Sequence, residues 1–345
     1  MKHLKMLRMN KKTCVIWSLW AVVALALLGL ALLAWAWRQP LPLPAQPYLL
    51  TVPKGATLNQ VAATLARDGV LRHPWQLIFP ARAQDVTTTI KAGRYRFEGE
   101  VTVATLLQKL VEGATVPVVV TITEGSTFAD LKRLLRGQPD IVNTVLDASD
   151  AQILQAVGVP EALPEGLFFP DTYHFAADSD DVAVLKTAYQ ALQTRLSDSW
   201  AKRQEGLPLA SPYEALILAS IVEKETGKDS DRPLVASVFV NRLKIGMRLQ
   251  TDPTVIYGLG ANYTGRLRRR DLDTDTPYNT YTRAGLPPTP IALVSQASLD
   301  AVMQPPSTKY MYFVSHNDGS GSSEFSETLD QHNKAVARYI LKRRS

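Results

Sequence analysis

Residues 211 to 227 read SPYEALILASIVEKETG, and this stretch carries helix signals at both ends. Ser211 is a capping residue, Pro212 suits the first helical position, and Glu214 stands three residues on, where it closes a capping box. Gly227 supplies a left-handed terminator. Two acids near the end are separated by helical geometry. At about 100° per residue, Glu225 lies roughly 20° from Leu218 and falls between Ile221 and Val222 on one stripe, whereas Glu223 lies roughly 140° round. With the Leu218 stripe turned to a core, Glu225 occupies an apolar position. Desolvation then disfavours its ionised form, and the negative end of the helix dipole acts in the same sense. A carboxyl with a raised pKa is what a general acid needs near neutral pH. The structural alternative is that Glu225 pairs with Lys228, Arg232 or Arg242.

Downstream, Asp231 and Pro233 open a second helix with a stripe of Val235, Val238, Phe239 and Leu243, ended by Gly246. Asn241 and Arg242 near its end are site candidates, though such residues are more commonly solvated. In the next stretch, LQTDPTVIYG (249–258), the polar triplet Gln250, Thr251 and Asp252 interrupts a packable sequence. Gln250 and Thr251 suit hydrogen bonds to hydroxyls and acetamides. Asp252, before Pro253, reads most simply as an N-cap and otherwise as a second carboxylate. Tyr278, Asn279 and Tyr281 precede Gly285-Leu286-Pro287-Pro288, giving a stiff loop with rings and an amide, a composition that suits saccharides.

Upstream, Val118 to Thr123 is β-branched and reads as a strand that opens a body running from 118 to 345. Residues 48–117 show the order strand (48–52), helix from Leu58, helix after His73, strand (93–97), helix (102–111). This order resembles a LysM-like module, a type associated with binding N-acetylglucosamine polymers. Residues 38–47 hold four prolines and read as a semi-rigid stalk. Residues 14–37 are free of charge and long enough for a transmembrane helix. The lysines and arginine of residues 1–13 place the N-terminus in the cytoplasm and everything after the span outside it. The fold class is therefore α+β: one N-terminal membrane helix, a small α+β module and an α+β catalytic body.

The formal charge of +6 is concentrated in residues 1–38, which hold six Lys and Arg and no acid, so residues 39–345 are net neutral. A neutral body argues against a nucleic-acid partner, and the clusters at Arg266–Arg270 and Lys342–Arg344 read as solvated faces. The single cysteine, Cys14, rules out intramolecular disulfides and thiol or Cys-based zinc chemistry. The five histidines lack metal-ligand spacing, and no GxSxG, GxxxxGK[ST] or GxGxxG sequence occurs. The expectation is thus no metal and no cofactor.

Together, EGLFFPDTYHF (165–175), LASIVEKET (218–226), VASVFVNRLKIGMRLQTDPTVIYGLG (235–260), YNTYTRAGLPP (278–288), YMYFV (310–314) and HNKAV (332–336) resemble the YceG-like endolytic murein transglycosylases, in order along the whole body. The resemblance implies a membrane-anchored periplasmic enzyme that cuts nascent peptidoglycan strands internally, without a cofactor. Its essential Glu matches Glu225, the second acid of E-K-E-T. It also implies that this Glu protonates the oxygen between N-acetylmuramic acid and N-acetylglucosamine, then helps the muramoyl C6 hydroxyl attack C1, leaving a 1,6-anhydro end. An internal nucleophile makes a second carboxylate unnecessary. The implied partners are glycan strands, the inner membrane and peptidoglycan synthases. The chain departs from the family at GLPPTPIALVSQ (285–296) and at Ser323-Glu324-Phe325, where a His often precedes the Phe. Two other readings stand beside this one: a non-catalytic glycan-binding scaffold for wall synthases, and a hydrolytic muramidase with Asp252 or Asp171 as its second carboxylate.

Overall fold

The computed structural model describes residues 37–177 and 179–341 and, before them, scattered positions between 17 and 35. The tail at 1–13 lies outside the described residues, and so does much of the predicted span at 14–37. No helix among the described residues is long and apolar enough to cross a membrane. The chain divides into two compact units, Met1–Pro117 with Ala176–Asp178, and Val118–Phe175 with Ser179–Ser345.

The first unit runs β1 (Tyr48–Val52), α1 (Leu58–Arg67), α2 (Trp75–Ala83), β2 (Gly93–Phe97) and α3 (Val103–Glu112). The strands pair antiparallel, with Tyr48 opposite Phe97 and Val52 opposite Gly93. Period-two alternation turns Tyr48, Leu50 and Val52 inward with Tyr95 and Phe97. Against that face pack Leu65, Leu77, Leu106 and Leu110. Thr57 and Thr102 cap α1 and α3 through capping boxes, and Gly113 ends α3 in the left-handed conformation. The proline-rich linker does not stand free as the stalk that its composition predicts. The Leu41 N–H donates to the Val101 carbonyl at 2.7 Å, Pro40 bridges to Thr102, and Leu41 and Leu43 pack on the core. Alternating leucines among the prolines gave the extended segment an apolar edge to bury.

The second unit begins with β3 (Val118–Thr121), α4 (Phe128–Arg136), β4 (Ile141–Val142), α5 (Asp150–Val157), β5 (Thr172–Phe175), β6 (Ser179–Asp180) and α6 (Asp181–Ala201). It continues with α7 (Pro212–Glu225), α8 (Arg232–Lys244), α9 (Asp252–Leu259), α10 (Arg269–Asp273), α11 (Gln296–Met303), β7 (Tyr312–Ser315), β8 (Ser323–Ser326) and α12 (Leu329–Val336). Short two-stranded ladders pair β3 with β5, β4 with β6 and β7 with β8. Gly166 has φ +77°, and a Cβ there would meet Pro290 Cβ at 2.3 Å, so only glycine lets the segment after Glu165 lie against Pro290.

Helix α7 is the centre of this unit. Every residue from Ala215 to Val222 is buried, not only the Leu218 stripe, because α6, α8, α9 and α11 all pack against it. Ser220 is satisfied inside, donating to the Ile217 carbonyl (2.7 Å) and accepting from Ile291 N–H (2.9 Å). The helix begins as predicted at Ser211, whose Oγ accepts the Glu214 N–H. The capping box does not close: the Glu214 carboxylate accepts instead from Ala210 N–H at 2.7 Å. Nor does Gly227 act as a left-handed terminator. Thr226 leaves the helix in the extended conformation, at φ −142° and ψ 130°, which stops it on Glu225.

Candidate active site

Glu225, on the last turn of α7, lines a groove of about 380 Å³ with Arg242, Gln250, Asp252, Tyr281 and His332. The carboxyl is fixed by one short bond, from Thr251 Oγ1 to Oε2 at 2.7 Å. None of the cations offered as partners takes it. Lys228 Nζ goes to Ser322 Oγ, Arg232 pairs with Asp229 at 2.6 Å, and Arg242 donates to the carbonyls of Met311 and Leu249, each at 2.7 Å. Burial therefore dominates and pushes the Glu225 pKa up to about 7, against the Thr251 hydrogen bond; the Asp252 charge raises it further and Arg242 opposes. Glu223, the competing acid, accepts from Ser295 N–H and Oγ at 3.1 and 2.5 Å and so braces the start of α11.

The 249–252 segment meets the groove through its backbone conformation. Gln250 takes the left-handed φ of +49°, an unusual choice for a residue other than glycine. This turn sets Gln250 among the groove's lining residues and tucks Thr251 beneath Glu225. Thr251 is 2 % exposed, so its predicted contact with sugar is corrected: its hydroxyl is used on the carboxylate. Asp252 is the first residue of α9 and not its cap, which is Thr251. Its carboxylate accepts the Tyr281 hydroxyl at 2.6 Å, and burial with this bond holds the Tyr281 pKa high.

Two predicted site residues lie elsewhere. Asn279 is 1 % exposed. Its amide donates to the carbonyls of Leu272 (3.0 Å) and Thr274 (2.7 Å), and its oxygen accepts from Tyr281 N–H (2.8 Å). An amide saturated by backbone is a brace for the loop and has nothing left for a ligand. Tyr278 shares a 2.9 Å hydroxyl bond with Thr289 and packs on the Tyr257 ring. Tyr257 in turn donates to Glu165 Oε2 at 3.1 Å, whose other oxygen accepts from Phe128 N–H at 2.9 Å. Glu165, like Glu225, is pushed up to about 7 by burial, but both of its oxygens are engaged and it ties α9 to α4. Asp171 is exposed and pairs loosely with Arg195.

Of the far wall, the sequence singled out Arg242 but neither Tyr312 nor His332 as a site residue. The His332 ring stacks on Tyr312 with centroids 5.3 Å apart, and the Arg242 guanidinium lies 5.3 Å from the centre of the same Tyr312 ring. Burial and the Arg242 charge depress the His332 pKa, which favours the neutral imidazole. Asn241 fastens this wall to α8, donating to the carbonyls of Thr308 and Tyr310 at 3.0 Å each. From Arg242 to His332 these residues span 90 positions of the chain, so no local spacing joins them; only the matches at 235–260, YMYFV and HNKAV pointed to all three. Among the described residues no cluster of side chains suited to a metal ion occurs.

The arrangement is a single protonatable carboxyl, held from one side and open on the other, between polar groups and aromatic rings. The model of the YceG-like family matches residues 50–338. A protein of Bacillus subtilis named endolytic murein transglycosylase is 29% identical over 310 residues, covering 84% of each chain. One of the same name from Streptococcus pneumoniae serotype 2 is 27% identical over 325 residues, and there the alignment spans 84% of this chain and 58% of the relative's length. A crystal structure of a yceG-like protein from Listeria monocytogenes superposes with a TM-score of 0.54 at 29% identity, covering 83% of this chain and 98% of that one. With the family model matching residues 50–338 and more than four-fifths of its length aligned to these proteins, the chain belongs to the YceG-like family.

Proposed function

We propose that this protein is an endolytic murein lytic transglycosylase that cuts the β-1,4 bond between N-acetylmuramic acid and N-acetylglucosamine within nascent glycan strands, with Glu225 as its one acid/base. The observation that carries the reading is the state of Glu225: desolvated at the end of a buried helix, bonded on Oε2 only, and with a pKa near 7. In the first step the Glu225 proton passes to the bridging oxygen as the C1–O bond breaks. In the second, the carboxylate takes the proton of the C6 hydroxyl as that oxygen bonds to C1, closing a 1,6-anhydro ring. The nucleophile is part of the substrate, so no second carboxylate is required. Asp252, the nearest candidate for that role in the groove, already accepts the Tyr281 hydroxyl, which fits a positioning part better than a nucleophile's.

The same reading assigns 14–37 as a single-pass inner-membrane anchor with the enzyme on the outer side, where its substrate is made. The βααβα order of the first unit supports a LysM-like module that holds glycan, and peptidoglycan synthases are the partners that would supply nascent strands. Mass spectrometry of uncrosslinked strands digested by the protein tests the central claim. Ends in 1,6-anhydromuramic acid, absent with Glu225→Gln, are expected. Reducing ends would mean a hydrolase, and no cleavage by folded protein would favour a scaffold.

A further inference from the structure

Beneath the groove lies a closed set of hydroxyl bonds. Thr251, Thr254 and Thr280 are 2 %, 0 % and 2 % exposed, so none of them reaches a sugar. Thr254 Oγ1 donates to the Thr251 carbonyl at 2.8 Å and lies 2.8 Å from Thr280 Oγ1. A hydroxyl has one proton, and that of Thr254 is committed, so Thr280 is the donor to Thr254. Thr280 Oγ1 in turn accepts the Thr251 N–H at 3.1 Å, while the Thr280 carbonyl accepts the Gln250 N–H at 3.2 Å. Thr251 is thus gripped at both its N–H and its C=O, and its own hydroxyl proton is spent on Glu225 Oε2.

That last bond distinguishes the two carboxyl oxygens. In a protonated carboxyl the carbonyl oxygen is the stronger acceptor, so the Thr251 donor favours Oε2 as the carbonyl and the acid proton on Oε1, which is bonded to nothing among the described residues. We propose that Thr251, locked by Thr254 and Thr280, is a positioning residue that confines the reactive proton of Glu225 to Oε1, both when it is given to the glycosidic oxygen and when it is recovered from the C6 hydroxyl. This rests on the reading of Glu225 as the acid/base. In the intermediate state, after the proton has left Oε1 and before the C6 hydroxyl returns one, the Thr251 bond becomes charge-assisted and stronger, so it stabilises what the reaction creates.

The test uses the full chain in detergent on uncrosslinked glycan strands, reading 1,6-anhydro termini from pH 5 to 9. Thr251→Val keeps the shape and removes the hydroxyl. Its kcat is expected to fall by about 10- to 100-fold, the worth of a hydrogen bond to a charged group, with KM within about twofold, as for an interaction that matters in the transition state. The alkaline limb of the rate profile is expected to rise by about one pH unit, because a donor favouring the carboxylate is lost. Thr251→Ser restores both. A merely structural Thr251 would lower Tm and leave the limb in place, which would overturn the proposal, as would a wild-type kcat in Thr251→Val. Glu225→Gln, run in parallel, separates the two levels: an inactive Glu225→Gln beside an unaffected Thr251→Val rejects the positioning role alone, and an active Glu225→Gln rejects both readings. If Thr251→Val does not fold, Thr254→Val decides, since it keeps Thr251 and Glu225 and frees the Thr251 carbonyl and the Thr280 hydroxyl from the lock; an unchanged rate and limb there also overturn the proposal.

Discussion

At the scale of single residues, the raised pKa of Glu225 has consequences for both rate and stability. As a general acid it must be protonated, so the rate is expected to fall as pH rises through about 7. Glu225→Gln removes the proton donor and should cost about 10²- to 10⁴-fold in strand cleavage. Its effect on stability runs the other way. The folded-state pKa lies above the ordinary carboxylate value, so the native state holds its proton while the unfolded chain loses it, and stability declines as pH climbs from about 4.5 to about 7 and then levels off. Relieved of that burden, Glu225→Gln should be more stable than the parent at pH 8 by about 1–2 kcal/mol, and the advantage should vanish near pH 4. Thermal melts at the two pH values check this; an equal Tm difference at both would show that Glu225 titrates normally. The residue itself was singled out because helical geometry set it on an apolar stripe and the E-K-E-T match to the family selected the same position. Thr251 and Asp252 were found with their roles misplaced, since a sequence shows that a polar triplet interrupts a packable run but not which member turns inward. That choice is made by the left-handed backbone at Gln250.

At the scale of elements, β1, β2 and the starts of α1, α3 and α7 follow from alternation and capping, which are local. What local signals do not convey is how an element ends or what it leans on. Thr226 stops α7 through an extended backbone where Gly227 was expected to act, and Asp231 spends its carboxylate on Ser230 Oγ and Ser323 N–H, not on a cap. The loop holding Tyr278 to Tyr281 illustrates the same point. Its Asn279 reads as a ligand-binding amide in the sequence, yet in the fold it organises the loop, and with it the orientation of Thr280 toward Thr251 and of Tyr281 toward Asp252. Asn279→Ala leaves buried carbonyls without donors and should cost about 2–3 kcal/mol, seen as a lower denaturation midpoint. Cleavage should fall with KM and kcat changing together, because both walls of the groove shift. A variant that melts like the parent would show that the loop is held by its prolines instead.

At the scale of the whole molecule, the division into two units predicts that the second carries the chemistry alone. All groove residues, from Glu225 to His332, and the central helix that presents Glu225 belong to it. A fragment spanning 118–345 should therefore fold and cleave soluble strands at a rate within about tenfold of residues 39–345, a difference of less than about 1.4 kcal/mol in barrier. The proposed membrane attachment belongs to the other end of the chain. Residues 39–345 carry no net charge, so electrostatic adhesion to a lipid surface is a poor substitute for an apolar span. The linker strengthens the geometric consequence: Pro40 is already bridged to Thr102 and Leu41 bonded to Val101, so Arg38 and Gln39 alone separate the folded unit from Trp37. On this reading the full chain should sediment with membranes, resist extraction by about 1 M salt, where surface charges are screened beyond about 3 Å, and be released by detergent. The 39–345 fragment should remain in the supernatant. Release of the full chain by salt alone would place its hold on the membrane in the basic residues of positions 1–38, and the apolar run would then need another explanation.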